Sequence, residues 1–450
     1  MGWIESWSAK RVDHSPQTER TLLLDSLVIG SPKRKKNPHP GWTEFFPYYA
    51  GFPEDFARRI IESSGLPSSA VIYDPWNGSG TTTYAAAQLG YAACGIDLNP
   101  VMVLVARARS LSNTEADSIV PQAKSLIKDI SRLAVKIRNE DPLLQWLDIQ
   151  TANIIRSIEF RIRTRLVGTN KTDHHTQFEK ISCFAATFYV ALFTVCRRLT
   201  VPYRSSNPTW LKTPSTNERK LSIPINEISA AFLEQAERMA TSLQTSPDFM
   251  VDPSKILINV GNTTELKTKE FADMVLTSPP YCTRIDYTAA TRVELALISP
   301  LWGEDRNDLS KKMIGSIKVP SAKINPSAIW GETCLRFLDK LQMHNSKASK
   351  GYYYKTHLDY FDKMSLSIQN LHASLKKKAI TIIVAQDSYY KDLKNDVPTI
   401  LAEMAENSGF ELKRREDFVQ ENSLLGINSR SRKYRSSSRA TESVICLKKR

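Results

Sequence analysis

The run Thr277-Ser278-Pro279-Pro280-Tyr281 holds the residue types in this chain best suited to chemistry. It closes a strand-like stretch, Ala272-Asp273-Met274-Val275-Leu276, and so falls at the carboxyl end of a sheet, where open α/β sheets bind ligands. Two consecutive prolines fix φ and cannot continue a ladder, so the backbone leaves the sheet extended with carbonyl oxygens free to accept hydrogen bonds. A rigid acceptor corner results, with an aromatic face beside it. This arrangement suits methylation of an exocyclic amino group on a base, whose nitrogen is a poor nucleophile because its lone pair is delocalised into the ring. A Ser278 oxygen and the Pro279 carbonyl, accepting from the two N–H groups, would favour the pyramidal, reactive form without a strong base. Tyr281 would stack on a base turned out of its helix, since the amino group is out of reach inside a stacked duplex.

A second group lies some two hundred residues upstream. The apolar run Ala70-Val71-Ile72-Tyr73 ends in Asp74-Pro75-Trp76-Asn77-Gly78-Ser79-Gly80-Thr81-Thr82, and a helix pattern follows with Ala85, Ala86, Ala87 and Leu89. Strand, glycine-rich turn and helix let a backbone come into contact with a cofactor, because Gly78 and Gly80 carry no Cβ. A second strand, Ala92 to Ile96, then delivers Asp97 at 23 residues from Asp74 (97 − 74). An acid at that strand end is placed to accept both ribose hydroxyls of an adenosine. A nicotinamide cofactor would satisfy this geometry too.

What separates the two is the wording of the motifs. Asp-Pro-x-x-Gly-Ser-Gly-Thr-Thr from 74 to 82, Gly-Ile-Asp-Leu-Asn-Pro from 95 to 100 and Ser-Pro-Pro-Tyr from 278 to 281 together resemble the amino-group DNA methyltransferases, whose signature is Asp, Asn or Ser followed by Pro-Pro-Tyr. The resemblance covers residues 45–110 and 256–450. It implies an α/β fold: a Rossmann-like class I methyltransferase sheet, mostly parallel with an antiparallel C-terminal strand, carrying a helical insertion. It also implies S-adenosyl-L-methionine as cofactor and duplex DNA with a flipped base as partner.

By the same resemblance, Asp74 and Gly78 to Gly80 would face the methionine part and Asp97 the ribose. Pro75, Asn77, Thr81, Thr82, Leu98 and Thr277 complete the expected cofactor set, and Ser278, Pro279, Pro280 and Tyr281 the catalytic one. The aromatic segment Phe45 to Phe52 is similar to the one that covers the methionine end. Asn262, near the adenine position, departs from the commoner aspartate, and Lys376-Lys377-Lys378 stands where the family often has a turn glycine.

Lys and Arg outnumber Asp and Glu by 61 to 47, a net charge of +14 that points to an anionic partner, nucleic acid before membrane surface. Arg430, Arg432, Lys433, Arg435, Arg439, Lys448, Lys449 and Arg450 face one acid, Glu442, so half of the excess lies beyond residue 427. The six cysteines are scattered without a Cys-x-x-Cys pair, which suggests no metal site, no disulfide framework and a reducing, cytoplasmic setting. The N-terminus has no apolar signal core, and the most apolar run, Ile181 to Cys196, is too short for a membrane span.

The pattern divides the chain into a basic N-terminal arm (1–44), the discontinuous catalytic domain (45–110 and 256–450), a helical insertion (111–255) and a basic, loop-rich insertion (299–355). The insertion should hold an amphipathic helix from Thr114 through Ile137, others at Ile149–Val167, Gln177–Leu199 and Asn226–Leu243, and target recognition is the role assigned to it. Arg204, Trp210 and Lys212 between the last two helices, Arg284 after the proline corner, and Arg430, Arg432, Lys433 and Arg435 in a Ser-rich loop are the candidate nucleic-acid contacts.

A neutral Ser278, where adenine enzymes more commonly have an acid, favours cytosine N4 over adenine N6. Guanine N2 methylation of RNA and a catalytically dead nucleic-acid-binding protein are the alternatives. A cognate restriction endonuclease or other defence component would be a natural partner.

Overall fold

The computed structural model describes residues 2–9, 24–33, 45–47, 51–132, 135, 137–168, 178–205, 211–215, 219–245, 252–282, 286–320, 323–346, 348–420 and 440–450. The strands are β1 (Val71–Asp74), β2 (Ala92–Asp97), β3 (Ile256–Val260), β4 (Ala272–Thr277), β5 (Leu375–Gln386), β6 (Ser388–Tyr390), β7 (Leu393–Asn395), β8 (Phe410–Gln420) and β9 (Ala440–Lys449). Seven of them form one sheet in the order β3-β2-β1-β4-β5-β9-β8, and β6 and β7 make a separate hairpin. Every pairing from β3 to β5 is parallel, and β9 runs antiparallel to both β5 and β8. The fold is therefore the expected one: a Rossmann-like methyltransferase sheet with a single reversed strand near its C-terminal edge.

Strand order turns back between β1 and β4, so the carboxyl ends of these two strands flank the switch point where such sheets bind ligands. Side chains alternate between the faces. On one face Ile72, Ala93, Met274, Leu276, Ile380, Ile382 and Val384 pack with helices α2 (Glu54–Ser63) and α3 (Thr81–Gln88), which follow α1 (Gly2–Ala9). On the other, Tyr73, Cys94, Ile96, Val275, Ile383 and Leu447 lie under the C-terminal helices.

The chain between β2 and β3 supplies α4 (Pro100–Arg109), α5 (Ala116–Ile127), α6 (Ile149–Ile162), α7 (Cys183–Leu199) and α8 (Ile225–Thr245). These helices share one core with α4, whose residues 101–106 are fully buried or nearly so, rather than forming a body with its own centre. Buried guanidinium groups fasten them. Arg107 on α4 donates to the carbonyls of Phe178 (2.8 Å), Ile181 (3.1 Å) and Ile258 (2.9 Å) and to the Asn259 side chain. Arg156 on α6 pairs with Asp141 at 2.7 Å and donates to the carbonyls of Ala296 and Leu297.

After β4 come α9 (Tyr287–Ala290), α10 (Arg292–Leu297), α11 (Ser299–Trp302), α12 (Arg306–Lys312), α13 (Glu332–Met343), α14 (Tyr354–Ser374) and α15 (Val397–Asn407). No helix among the described residues is long and apolar enough to cross a membrane.

Four expectations are corrected. The segment 299–355 is not mainly loop: α11, α12 and α13 occupy much of it, and Leu301, Leu309, Leu338 and Leu341 are buried. Residues 1–44 are not simply an arm, because Ile4 of α1 is buried in the core, Trp7 Nε1 donates to the Ser254 carbonyl at 3.0 Å, and Leu24 and Leu27 are buried too. The helix expected through Ile137 stops at Ile127, where Asp129 takes φ 51° and Arg161 donates to the freed carbonyls of Leu126 and Lys128. Lys376, Lys377 and Lys378 form no turn before the strand but lie inside β5, at a register shift where Lys378 has φ 64° and Lys376 binds Asp273 at 2.8 Å. Such a bulge absorbs the residues that a strand cannot pair.

Replacing Arg107 with Leu leaves the buried carbonyls of Ile181 and Ile258 without this donor, each worth about 1–3 kcal/mol, while Phe178 keeps the Ile181 N–H. The Arg107→Leu protein should lose at least about 2 kcal/mol in chemical denaturation, and a loss under about 1 kcal/mol would show that the insertion is held by apolar packing alone.

Candidate functional site

The glycine turn and the proline corner meet. One open cleft, enclosing about 1000 Å³ of empty space including solvent, is lined by Asp74 to Ser79 after β1, Asp97 to Asn99 after β2, Gly261 to Thr263 after β3, and Ser278 to Tyr281 after β4. Two buried hydrogen bonds hold the strand ends in register. Thr277 Oγ1 donates to Asp74 Oδ1 at 2.5 Å, and Thr82 Oγ1 donates to the Leu276 carbonyl at 3.0 Å.

The acidic groups are prepared by backbone donors. Asp97 accepts from the Gly78 N–H at 2.8 Å on one oxygen and from the Asn99 N–H at 2.8 Å on the other. Asp74 also accepts from the Trp76 N–H at 3.1 Å. Burial nonetheless dominates both: desolvation pushes Asp97 and Asp74 up to about 6, against the hydrogen bonds that pull them down. Each carboxylate has four lone-pair sites, so Asp97 still has acceptor capacity toward the cleft.

Two buried donors at the cleft wall, Trp76 Nε1 and Asn77 Nδ2, have no partner among the described residues. Asn77 can sit there because its neighbour in space is Gly95, where a Cβ would come within 2.5 Å of the Asn77 amide. Gly78 takes φ 49°.

Thirteen of the expected residues line the cleft: Asp74, Pro75, Asn77, Gly78, Ser79, Thr81, Asp97, Leu98, Asn262, Ser278, Pro279, Pro280 and Tyr281. Three do not. Gly80 faces α4, where an added Cβ would meet Ala106 Cβ at 2.8 Å, so its lack of a side chain serves helix packing and not ligand approach. Thr82 and Thr277 are fully buried behind the wall and act through the two hydrogen bonds above. Asn262 reaches the cleft with its amide committed locally, donating to Glu265 Oε1 at 2.8 Å and accepting from Thr264. Phe45 and Phe46 pack in the insertion core, Arg197 lying 3.7 Å over the Phe46 ring, and of that aromatic segment Gly51 and Phe52 line the cleft.

At the corner itself Ser278 is half-buried, and its side chain hydrogen-bonds the Tyr281 hydroxyl, which also donates to Glu442 Oε1 on β9 at 3.5 Å. Burial and then the Glu442 charge push the Tyr281 phenol well above its ordinary range, so it stays protonated. No hydrogen bond to the Pro279 carbonyl is formed among the described residues. The corner thus brings Ser278, Pro279 and Tyr281 together at the cleft.

Sequence reading missed Tyr287, Thr291, Lys312, Met313 and Ile314, which also line the cleft. They carry no periodic or motif signal, and only the packing of α9, α10 and α12 brings them there. Of the candidate nucleic-acid contacts, Arg204 and Lys212 are exposed and flank a bridge between Arg204 and Leu211. Arg292, next to cleft-lining Thr291, donates to the Leu211 carbonyl at 3.2 Å, which sets this strip beside the cleft. Trp210, Arg284, Arg430, Arg432, Lys433 and Arg435 lie outside the described residues.

Comparison with known proteins agrees with this architecture. The N6/N4 DNA methylase family model matches residues 5–107, the part that holds the glycine turn and Asp97. The chain is similar to Type II methyltransferase M.AvaI of Nostoc sp., at 22% identity over 426 residues, covering 87% of this chain and 83% of that protein, and to M.AvaI of Anabaena variabilis at the same values. It is also similar to Type II methyltransferase M.BsoBI of Geobacillus stearothermophilus, at 24% identity over 62% of this chain and 56% of that protein. A solved structure, the rRNA methyltransferase aviRa of Streptomyces viridochromogenes, aligns at 10% identity over 94% of this chain and 92% of its own, with a TM-score of 0.25 that carries no weight. The family-model match and these relatives agree with the motifs: the chain is similar to the amino-group N6/N4 DNA methyltransferases.

Proposed function

We propose that this enzyme methylates the N4 amino group of cytosine in duplex DNA, using S-adenosyl-L-methionine, on a base turned out of the helix. The observation that carries the reading is the shared cleft: Asp74 and Asp97 stand on one wall and Ser278, Pro279 and Tyr281 on another, with the Thr277–Asp74 bond between them. The residues fit the cofactor. Asp97 offers acceptors for a ribose diol, Asp74 an anion for an ammonium or sulfonium, and the unpartnered Trp76 Nε1 and Asn77 Nδ2 offer donors for a carboxylate.

Bound there, S-adenosylmethionine supplies an electrophilic methyl group. The protein's own part is positioning and electrostatics. Ser278 Oγ and the Pro279 carbonyl accept the two amine N–H bonds, which draws the lone pair out of conjugation and aims it into the cleft. The proton shed by the amine after transfer passes by way of Ser278 to solvent. The Tyr281 ring, held by Ser278 and Glu442, supports the extruded base and offers its face to positive charge. Cytosine is favoured because Ser278 is neutral and its hydroxyl can accept or donate. The excess of basic residues, with Arg204 and Lys212 exposed beside the cleft, supports phosphate contact. The Type II names of the relatives support pairing with a restriction endonuclease of the same specificity.

DNA treated with the enzyme and digested to nucleosides should contain N4-methylcytosine, and Ser278→Ala should lower kcat about a hundredfold. Recovery of N6-methyladenine alone would transfer the assignment to adenine, and methylation of RNA but not duplex DNA would remove it.

Acid should weaken cofactor binding. Between pH 7.5 and pH 5 the dissociation constant should rise about tenfold if one of Asp74 and Asp97 must be ionised, and about a hundredfold if both must. A flat calorimetric profile would contradict this.

Stability should run the other way. Both carboxylates hold protons more tightly in the folded than in the unfolded chain, so their contribution to stability is full below the unfolded value of 3.8 and is lost as pH rises through about 6. Asp74→Asn should therefore raise the melting temperature of the ligand-free protein at pH 8, by the equivalent of up to about 3 kcal/mol, with only about half of that gain at pH 5. An equal gain at both would show that charge is not the cause.

A further inference from the structure

The peptide unit joining Pro280 to Tyr281 is held at both ends. Its carbonyl accepts from the hydroxyl of Tyr360 on α14 at 3.0 Å, and its N–H donates to the hydroxyl of Tyr287 on α9 at 3.1 Å. The two tyrosines come from opposite sides. Tyr360 is fully buried in the core behind the corner, whereas Tyr287 lines the cleft. Gly315 completes the seat: its φ is +75°, and a Cβ there would come within 2.9 Å of the Tyr281 carbonyl and 3.9 Å of the Tyr360 ring. None of these three residues belongs to a motif, and they lie at three separate places in the chain.

We infer that Tyr287 and Tyr360 are positioning residues for methyl transfer, a matched pair that clamps the Pro280–Tyr281 peptide plane and thereby aims the Pro279 carbonyl at the amine. The inference rests on the proposed reaction and deepens it. The proline ring locks φ of residue 280, so once the plane after it is fixed in space only one backbone torsion, ψ of Pro280, separates it from the Pro279 carbonyl. The same plane sets the root of the Tyr281 ring. Without the clamp the corner has no ladder partners to hold it, because it has left the sheet and its prolines have no N–H to donate.

The hydroxyls divide the work. Tyr360 can only act through the peptide, since it does not line the cleft. Tyr287 accepts from the Tyr281 N–H and keeps its own proton, which is free to donate into the cleft toward a bound ligand. Burial holds that phenol protonated, pushed up to about 12, so it is a donor throughout the working pH range. Tyr287 thus links the cleft to the acceptor corner, and Tyr360 anchors that corner to the core.

Tyr287→Phe and Tyr360→Phe each remove one oxygen and keep the ring. The test uses the full-length protein with uniformly deuterated, 15N-tyrosine label, unmethylated genomic DNA and S-adenosylmethionine. In Tyr287→Phe the Tyr281 amide should exchange with solvent about tenfold faster than in the wild type. Single-turnover methyl transfer should fall about tenfold in each variant, and the double variant should lose less than the product of the two, because both hydroxyls act on one plane. The dissociation constant for S-adenosylmethionine should stay within about twofold in Tyr360→Phe, a split that a merely destabilised fold would not give.

Tyr281 exchange at the wild-type rate in Tyr287→Phe overturns the clamp, and so does an unchanged single-turnover rate in both variants. A wild-type protein that methylates no DNA removes the proposed function instead, and the exchange measurement alone then upholds or overturns the clamp.

Discussion

The site depends on the contact between the ends of β1 and β4. Thr277 donates to Asp74 and Thr82 to the Leu276 carbonyl, both in the dry interior, so a strand end from residue 74 and one from residue 277 are fixed to within a hydrogen bond of each other. Buried hydrogen bonds of this sort are costly to leave unmade and so specify one arrangement. The same contact carries a charge penalty. Asp74 is desolvated, and Asp97, close enough to raise it further, is desolvated as well. Two carboxylates held ready in a cleft destabilise the empty protein at neutral pH, and a ligand bearing positive charge and hydroxyl donors relieves them. Stability is traded for readiness to bind.

Mounting the helical insertion required a second solution. Chain between α4 and β3 is long, and the described part of it wraps α4 instead of standing apart. Its carbonyls at Phe178 and Ile181, just ahead of α7, accept from Arg107. Arg156 does the same for Ala296 and Leu297 after the corner, and Arg197 reaches Glu294. A guanidinium has five donors in a fixed fork, so one side chain can satisfy several carbonyls at once. The consequence reaches the cleft: Glu294 and Ala296 lie on α10, whose neighbour Thr291 lines it. Insertion and acceptor corner are therefore mechanically joined, and contact between the insertion's exposed strip at Arg204 and Lys212 and a polyanion would bear on an element that closes the site.

Much of this protein was legible in the sequence because it is written in local rules. Apolar runs ending in Asp74, Asp97 and Thr277 marked the strand ends, and glycine followed by a helix pattern marked the turn. The wording of three motifs carried the family, and with it the reversed strand β9. Gly80 shows the limit of local reading. Glycine says that a Cβ is forbidden, but only the packed structure says by what, and here it is Ala106 and not a ligand. Asn262 is similar: an amide near the cleft can serve a ligand or its own turn, and three-dimensional context chose the turn.

What the sequence determined by itself was the set of groups at the ends of the parallel strands, because strand, turn and helix signals act over a few residues. What only the tertiary structure decided was everything contributed from a distance: Gly95 making room for Asn77, Arg107 capping carbonyls across the insertion, and Tyr287, Tyr360 and Gly315 around the Pro280–Tyr281 peptide. These residues have no shared spacing, for their common property is a place in space. Side chains some 70 residues apart, such as Tyr287 and Tyr360, become partners only when helices from different parts of the chain meet at the same peptide after β4.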